Sequence, residues 1–150
     1  MKSLLLFVCS FLPVIALGDR AKPNVVYILA DDLGYGDLKS MNTDGKIATP
    51  GSDQMAREGM VFTDAHSNSA VCTPTRYGVL TGRYAFRSRM KKGVLNGYSS
   101  YLIENGRMTV PSFLQNQGYH TAFIGKWHLG WDWAKDGERV DYSRPVENGP

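Results

Sequence analysis

The chain has 150 residues, of which 43% are hydrophobic and 21% charged, with a formal net charge of +3 at neutral pH. A charge this small gives no basis by itself for a nucleic-acid partner, and there are no repeats or low-complexity tracts. No Asn sits in an Asn-x-Ser/Thr sequon, so N-glycosylation gets no support.

The chain opens with MKSLLLFVCSFLPVIALG, in which Lys2 supplies a positive start and Leu4 to Leu17 an apolar stretch. Ala16-Leu17-Gly18 gives the small-x-small pattern that signal peptidase accepts. The stretch is interrupted by Ser10 and Pro13 and is too short to span a bilayer comfortably, so residues 1–18 read as a cleaved signal peptide, with no stable membrane anchor. The mature part, 19–150, is long enough to bury a core as one domain. Loss of Cys9 leaves Cys72 alone, and a solitary thiol in an oxidising compartment is a buried hydrophobe, a reactive group or a modified one.

Val25 to Ala30 is a continuous apolar run with β-branched members, the pattern of a strand buried on both faces. It stops at Asp31-Asp32, and Gly34 and Gly36 mark a loop. A short helix is expected over about 52–58, stopped by Gly59, with a second strand from Met60 to Thr63. Another helix begins near Thr73-Pro74, with proline in the first turn where its missing N–H costs nothing. A basic stretch follows, with Arg83, Arg87, Arg89, Lys91 and Lys92. Thr109 to Pro111 starts a third helix that ends at Gly118, and Thr121 to Ile124 reads as a third strand. The remainder, from Trp131, is polar and turn-rich and suggests no regular element. Strands alternating with helices predict an α/β fold with a mostly parallel sheet flanked by helices. Ligands gather at the carboxyl ends of such strands, where Asp31-Asp32 and Lys126-Trp127-His128 both fall.

Two adjacent carboxylates after a strand suit a hard divalent cation bound through oxygen, although a solvated turn or a helix cap would account for them as well. Lys126 and His128 face the same way if the backbone is extended; they then combine a point charge for a tetrahedral anion with a group that trades protons near neutrality. A strand-end lysine and a structural histidine are the plainer reading. Cys72 stands at a helix start, where free N–H groups and the positive end of the dipole favour an anion or a thiolate. Arg76 lies four residues on, one turn away, with its guanidinium directed back towards residue 72. Position 72 therefore suits a nucleophile that attacks an anionic substrate; which anion, and which attacking atom, is left open by the residues alone.

Three stretches carry a family resemblance. CTPTRYGVLTGR resembles the sulfatase signature, Cys-x-Pro-x-Arg followed by an apolar pair and Thr-Gly, with Thr75 where Ser is commoner. GYHTAFIGKWHLG is similar to the second signature of the same family, and NVVYILADDLGYGD to its opening strand with metal-binding aspartates. The resemblance implies an alkaline-phosphatase-like sulfatase fold, with 19–150 as an incomplete amino-terminal portion of the domain. It implies that a formylglycine-generating enzyme oxidises Cys72 to formylglycine during export, which explains why the thiol is unpaired. Ca²⁺, ahead of Mg²⁺, would be held by Asp31, Asp32 and residue 72. Arg76 would stabilise the hydrated aldehyde, Lys126 would contact the sulfate, and His128 would hydrogen-bond the diol and assist proton transfer. The family draws further ligands (an Asp and Asn pair, a His and a Lys) from sequence beyond this length, so the chain by itself is not expected to turn over substrate.

The function so implied is hydrolysis of sulfate monoesters, aryl or carbohydrate, by a secreted, periplasmic or lysosomal protein. Two alternatives stand beside it: a phosphodiesterase or phosphonate ester hydrolase of the same superfamily, and a non-catalytic secreted module that binds polyanions through the Arg83 to Lys92 cluster. His66 and His120 need no role beyond surface or packing positions.

Overall fold

The computed structural model describes residues 21–146, 148 and 149; the signal peptide read at 1–18 lies outside them. The chain divides into two compact units, Met1–Ala30 and Asp31–Pro150. In the first, the described residues 21–30 form no helix or strand, and Val26 and Ile28 are 82% and 75% exposed.

Among its described residues the second unit has three α-helices: α1 (Pro50–Glu58), α2 (Cys72–Thr81) and α3 (Val110–Asn116). All three correspond to expected helices. α1 starts earlier than its apolar pattern suggested because Pro50 occupies the first turn, pre-set for helical φ. Its start is held from outside the helix: the Thr49 hydroxyl accepts from the Lys39 amide (3.0 Å) and donates to Asp53 (3.0 Å). At the far end of α2, Gly82 takes the left-handed conformation (φ 65°) and its N–H closes on the Gly78 carbonyl. α3 opens with a reciprocal cap: the Ser112 amide donates to the Thr109 hydroxyl, and the Thr109 amide donates to the Ser112 hydroxyl (2.8 Å). The last turn gives way before Gly118, which has φ 80°.

The core of this unit joins Tyr77 from α2 to Ala85, Met90, Leu102, Ile103, Trp127 and Leu129, with Leu80, Leu95, Tyr101 and Trp131 packed against them. Tyr77 and Leu129 are fully buried. The Tyr77 hydroxyl donates to Glu104 (2.8 Å), and Arg83 donates to the same carboxylate (3.1 Å). Burial pushes the Glu104 carboxyl up, but its own backbone, Tyr77, Arg107 and Arg83 together hold it below the usual range. Between α2 and α3 lies a cavity of about 480 Å³, with Leu80, Tyr101, Gln115, Phe123 and Trp127 in its wall.

The expected parallel sheet is not present among the described residues. Val25 to Ala30, Met60 to Thr63 and Thr121 to Ile124 form no strand ladder. The physical reason is that an apolar, β-branched run becomes a strand only when neighbours satisfy its backbone and cover its side chains. Here Phe62 is 70% and Ile124 95% exposed, without either kind of partner. The described strands are instead β1 (Lys135–Asp136) and β2 (Arg139–Val140), an antiparallel pair with Lys135 opposite Val140 and Asp136 opposite Arg139. They fall in the stretch where no regular element was expected. Gly137 (φ 61°) takes the first turn position, which a two-residue hairpin of type II′ reserves for glycine.

Candidate active site

Cys72 is the first residue of α2, half-buried and unpaired, preceded by Val71 in extended conformation. The loop before it is stitched onto the first turn from both sides. Asn68 donates its side-chain amide to the Pro74 carbonyl (2.7 Å), and the Thr75 hydroxyl donates to the Ser69 carbonyl (2.9 Å). Asn68 reaches that carbonyl because residue 78 has no side chain: a Cβ on Gly78 would lie 2.5 Å from Asn68 Cγ. The glycine inside the helix therefore has a packing role, the usual reason for an isolated glycine in a helical pattern.

Arg76 points from α2 into an ion cluster. One guanidinium nitrogen, Nη1, donates to the Lys126 carbonyl oxygen, and Nη2 lies 3.5 Å from Asp31 Oδ1. Asp31 Oδ2 accepts from Lys126 Nζ at 2.6 Å. Residues expected from three separate motifs thus meet: the first aspartate after the apolar run, the signature arginine and the lysine of the second signature. The Lys126 hydrogen bond is the largest influence on Asp31 and holds its carboxyl below the usual range; burial opposes this, and the charges of Lys126 and Arg76 add to it. Lys126 is raised in turn, first by its hydrogen bond to Asp31, with Cys72 among the smaller contributing charges.

His128 takes a different direction from Lys126. Its backbone is left-handed (φ 56°), so the extended alternation that would have set the two side chains on one face does not hold. The flanking Trp127 and Leu129 are both buried, and the Trp127 indole N–H donates to the Gly130 carbonyl (2.8 Å). These anchors hold the strained residue between them. His128 Nε2 meets the Leu95 carbonyl at 2.7 Å. A carbonyl only accepts, so Nε2 carries a proton. The Leu95 amide donates to the buried Thr73 hydroxyl (3.2 Å), which links the residue after Cys72 to His128 through the backbone of one residue. Sequence reasoning assigned nothing to Thr73, Asn68 or Leu95; only Gly78, an isolated glycine in a helical pattern, carried a cue.

Asp32 stands apart from the cluster, exposed and left-handed (φ 57°), with no ion pair among the described residues. No group of three or more His, Cys, Asp or Glu side chains among the described residues could hold a metal ion. The carboxylates have the right chemistry for Ca²⁺ or Mg²⁺, but both Asp31 oxygens already face nitrogen cations, and about six to eight oxygen ligands are needed for calcium. As arranged, these residues do not fit the divalent cation that the resemblance implies. Arg76 Nε and His128 Nδ1 are buried without a hydrogen-bond partner among the described residues, which leaves a donor and a ring nitrogen open to a polar group.

The basic stretch is largely tied to its own chain. Arg83 bonds Glu104 and the Arg87 carbonyl, Arg89 bonds the Ser100 and Tyr101 carbonyls, and Lys91 bonds the Phe86 carbonyl.

The sequence profile of the sulfatase family matches residues 23–149. The chain belongs to the sulfatase family. It is 44% identical to the N-acetylgalactosamine-6-O-sulfatase of Bacteroides thetaiotaomicron over 73% of its length, which is 21% of that protein. It is 39% identical to human arylsulfatase D over 97% of its length and 25% of the relative's. Human arylsulfatase A is 44% identical over 72% of the chain and 21% of its own length. A solved structure described with the metabolism of multiple glycosaminoglycans by Bacteroides thetaiotaomicron superposes with a TM-score of 0.69 at 44% identity, covering 73% of this chain and 22% of that one. The chain thus resembles a sulfatase in three dimensions and spans about a fifth to a quarter of the length of the curated relatives it matches.

Proposed function

We propose that this chain is the nucleophile-bearing part of a sulfuric ester hydrolase that cleaves aryl or carbohydrate sulfate monoesters. The observation that carries this reading is the meeting of Asp31, Arg76 and Lys126, with Lys126 Nζ 2.6 Å from a carboxylate 95 residues away in sequence. A sulfate ester is a tetrahedral anion, and positive groups fixed near the start of α2 favour both its binding and the negative charge that develops on its oxygens.

Cys72, if converted to formylglycine by a formylglycine-generating enzyme, would supply a hydrated aldehyde, one hydroxyl of which would take the sulfuryl group as the alcohol departs, while deprotonation of the other would release sulfate and restore the aldehyde. The remaining roles belong to the chain's own side chains. Lys126 binds a sulfate oxygen through its ammonium. Arg76 orients residue 72 and the backbone of Lys126. His128 accepts a proton at Nδ1, its imidazole oriented by the Leu95 carbonyl at Nε2. Buried Trp127 and Leu129 keep water from the backbone that carries Lys126 and His128. The calcium that the resemblance implies on Asp31, Asp32 and residue 72 enters no step, because Lys126 and Arg76 stand on Asp31 and the residues as arranged do not fit it. Export through residues 1–18 to a secreted, periplasmic or lysosomal location completes the reading.

The chain is to be exported together with a formylglycine-generating enzyme and the peptide containing residue 72 weighed. A lowered mass from exchange of thiol for aldehyde is expected, and unmodified Cys72 would overturn the formylglycine assignment. Aryl sulfate is then compared with aryl phosphate esters as substrate. Cleavage of the phosphate esters alone would assign the protein to the phosphoester hydrolases of the superfamily instead.

A further inference from the structure

Two struts run from α2 to the stretch Lys126-Trp127-His128. The first is Arg76, whose Nη1 donates to the Lys126 carbonyl and fixes one end of that stretch. The second reaches the other end and starts from Thr73, a position that the signature Cys-x-Pro-x-Arg leaves unspecified. The Thr73 hydroxyl accepts from the Leu95 amide (3.2 Å), and the Leu95 carbonyl meets His128 Nε2 (2.7 Å). A helical threonine commonly turns its hydroxyl to the local backbone, as Thr81 does in donating to the Tyr77 carbonyl (2.6 Å). Thr73 instead uses its hydroxyl on an amide 22 residues away, at a position that is completely buried. The segment that carries Leu95 is also fastened on its far side. The Leu102 amide donates to the Leu129 carbonyl (2.8 Å), the Trp131 amide to the Ser99 carbonyl (3.0 Å), and the Trp133 indole N–H to the Gly97 carbonyl (3.0 Å). Residues 95–102 and 128–133 are thus tied to each other, and the Thr73 hydroxyl ties them to the first turn of α2.

We infer that Thr73 is a positioning residue for His128: its hydroxyl holds the backbone of Leu95, and the Leu95 carbonyl in turn holds the imidazole, with a proton on Nε2, in a fixed place relative to residue 72. This rests on the proposed sulfatase reaction, in which His128 takes a proton, and it adds a residue that touches neither the substrate nor the reacting atoms. The His128 backbone is left-handed (φ 56°), a conformation that persists only where its surroundings over-determine it, and the contact at Nε2 fixes the ring that this backbone carries. The requirement at position 73 is for a buried oxygen. Serine meets it, and valine, of nearly the same shape, does not.

The test uses the whole chain, with its histidines labelled with nitrogen-15, at about pH 8, where an ordinary imidazole is neutral. His128 is expected to show one protonated and one bare ring nitrogen, whereas exposed His120 shows the averaged pattern of two exchanging tautomers. Thr73→Val is expected to move the His128 nitrogens towards the His120 pattern. It is also expected to speed exchange of the Leu95 amide proton about fivefold relative to that of Leu102, the scale of one lost hydrogen bond. Thr73→Ser is expected to keep the wild-type behaviour in both. A folded Thr73→Val chain whose His128 nitrogens keep the wild-type pattern overturns the inference, because a purely structural threonine changes stability and leaves the imidazole as it was. Equal loss of that pattern in Thr73→Ser and Thr73→Val also overturns it, since the hydroxyl is then not the cause. Should Thr73→Val not fold, the unaltered chain decides. With rising urea, the Leu95 amide and the His128 Nε2–H are expected to lose protection from exchange together, and opening of the first while the second stays protected overturns the inference. Failure of the sulfatase reading would show in the mass of the residue-72 peptide and in the substrate comparison, whereas failure of this inference shows in the spectra of a chain that keeps its thiol.

Discussion

Thr73 and His128 are joined through the backbone of a single residue: the amide of Leu95 donates to the Thr73 hydroxyl, and its carbonyl meets His128 Nε2. The start of α2 and the imidazole are thereby set in register by a residue that contributes only its backbone. Thr73 is fully buried, so Thr73→Val preserves shape and leaves the Leu95 amide without its partner. The expected loss of stability is about 1 kcal/mol, the net contribution of one part-buried hydrogen bond. Thr73→Ser keeps the hydroxyl and is expected to lose less. Urea unfolding of the two variants beside wild type checks the order.

Gly78 and Asn68 make a second pair with a stated cost. Gly78→Ala drives a methyl group into the Asn68 side chain and is expected to destabilise the loop before Cys72 by about 1–3 kcal/mol, as overpacking does. Asn68→Ala loses the bond to the Pro74 carbonyl but makes room. The double variant is therefore expected to be more stable than the sum of the single losses predicts, and a double-mutant cycle measures the difference. Strict additivity would mean that the two residues do not touch.

The Asp31–Lys126 pair has a defined pH window. The folded state holds the Asp31 carboxyl below its usual range, so its contribution to stability is present above the unfolded value and disappears as pH falls through the folded one. Lys126 is raised, so its contribution is present below its unfolded value and is lost as pH rises through the folded one. The pair is therefore intact across neutral pH and fails in acid below about pH 4, the ordinary carboxylate range. Carbon-13 NMR of the Asp31 carboxylate is expected to show a midpoint below that of a free aspartate, moving upward in Lys126→Met. An unchanged midpoint in the variant would remove Lys126 as its cause.

The helices were legible because their signals are local: Pro74 and Pro111 lie in first turns, and Gly59 ends α1. The strands were not, because Val25 to Ala30 and Thr121 to Ile124 carry the composition of buried strands, whereas pairing depends on neighbours that no single segment encodes. In length, the chain corresponds to a fifth to a quarter of its relatives. The hairpin at Lys135 to Val140 was missed for the opposite reason: its two-residue strands are too short to show alternation, and only Gly137 marked the turn. At the site, sign and position assigned Asp31 to a cation and Lys126 to an anion, but the direct Asp31–Lys126 pair was not read from them. Nor could the left-handed turn at His128 be read, since nothing in Lys-Trp-His-Leu demands a positive φ.

The fork of Arg76 has a consequence for the signature it belongs to. Its two terminal nitrogens serve different acceptors at once, a neutral carbonyl oxygen and a charged carboxylate oxygen, that come from sequence segments far apart. An ammonium in its place would keep the sign of the charge but not the rigid spacing between donors. The demand at position 76 is thus for a planar two-pronged brace more than for positive charge, and a lysine there would fail on shape while matching in valence.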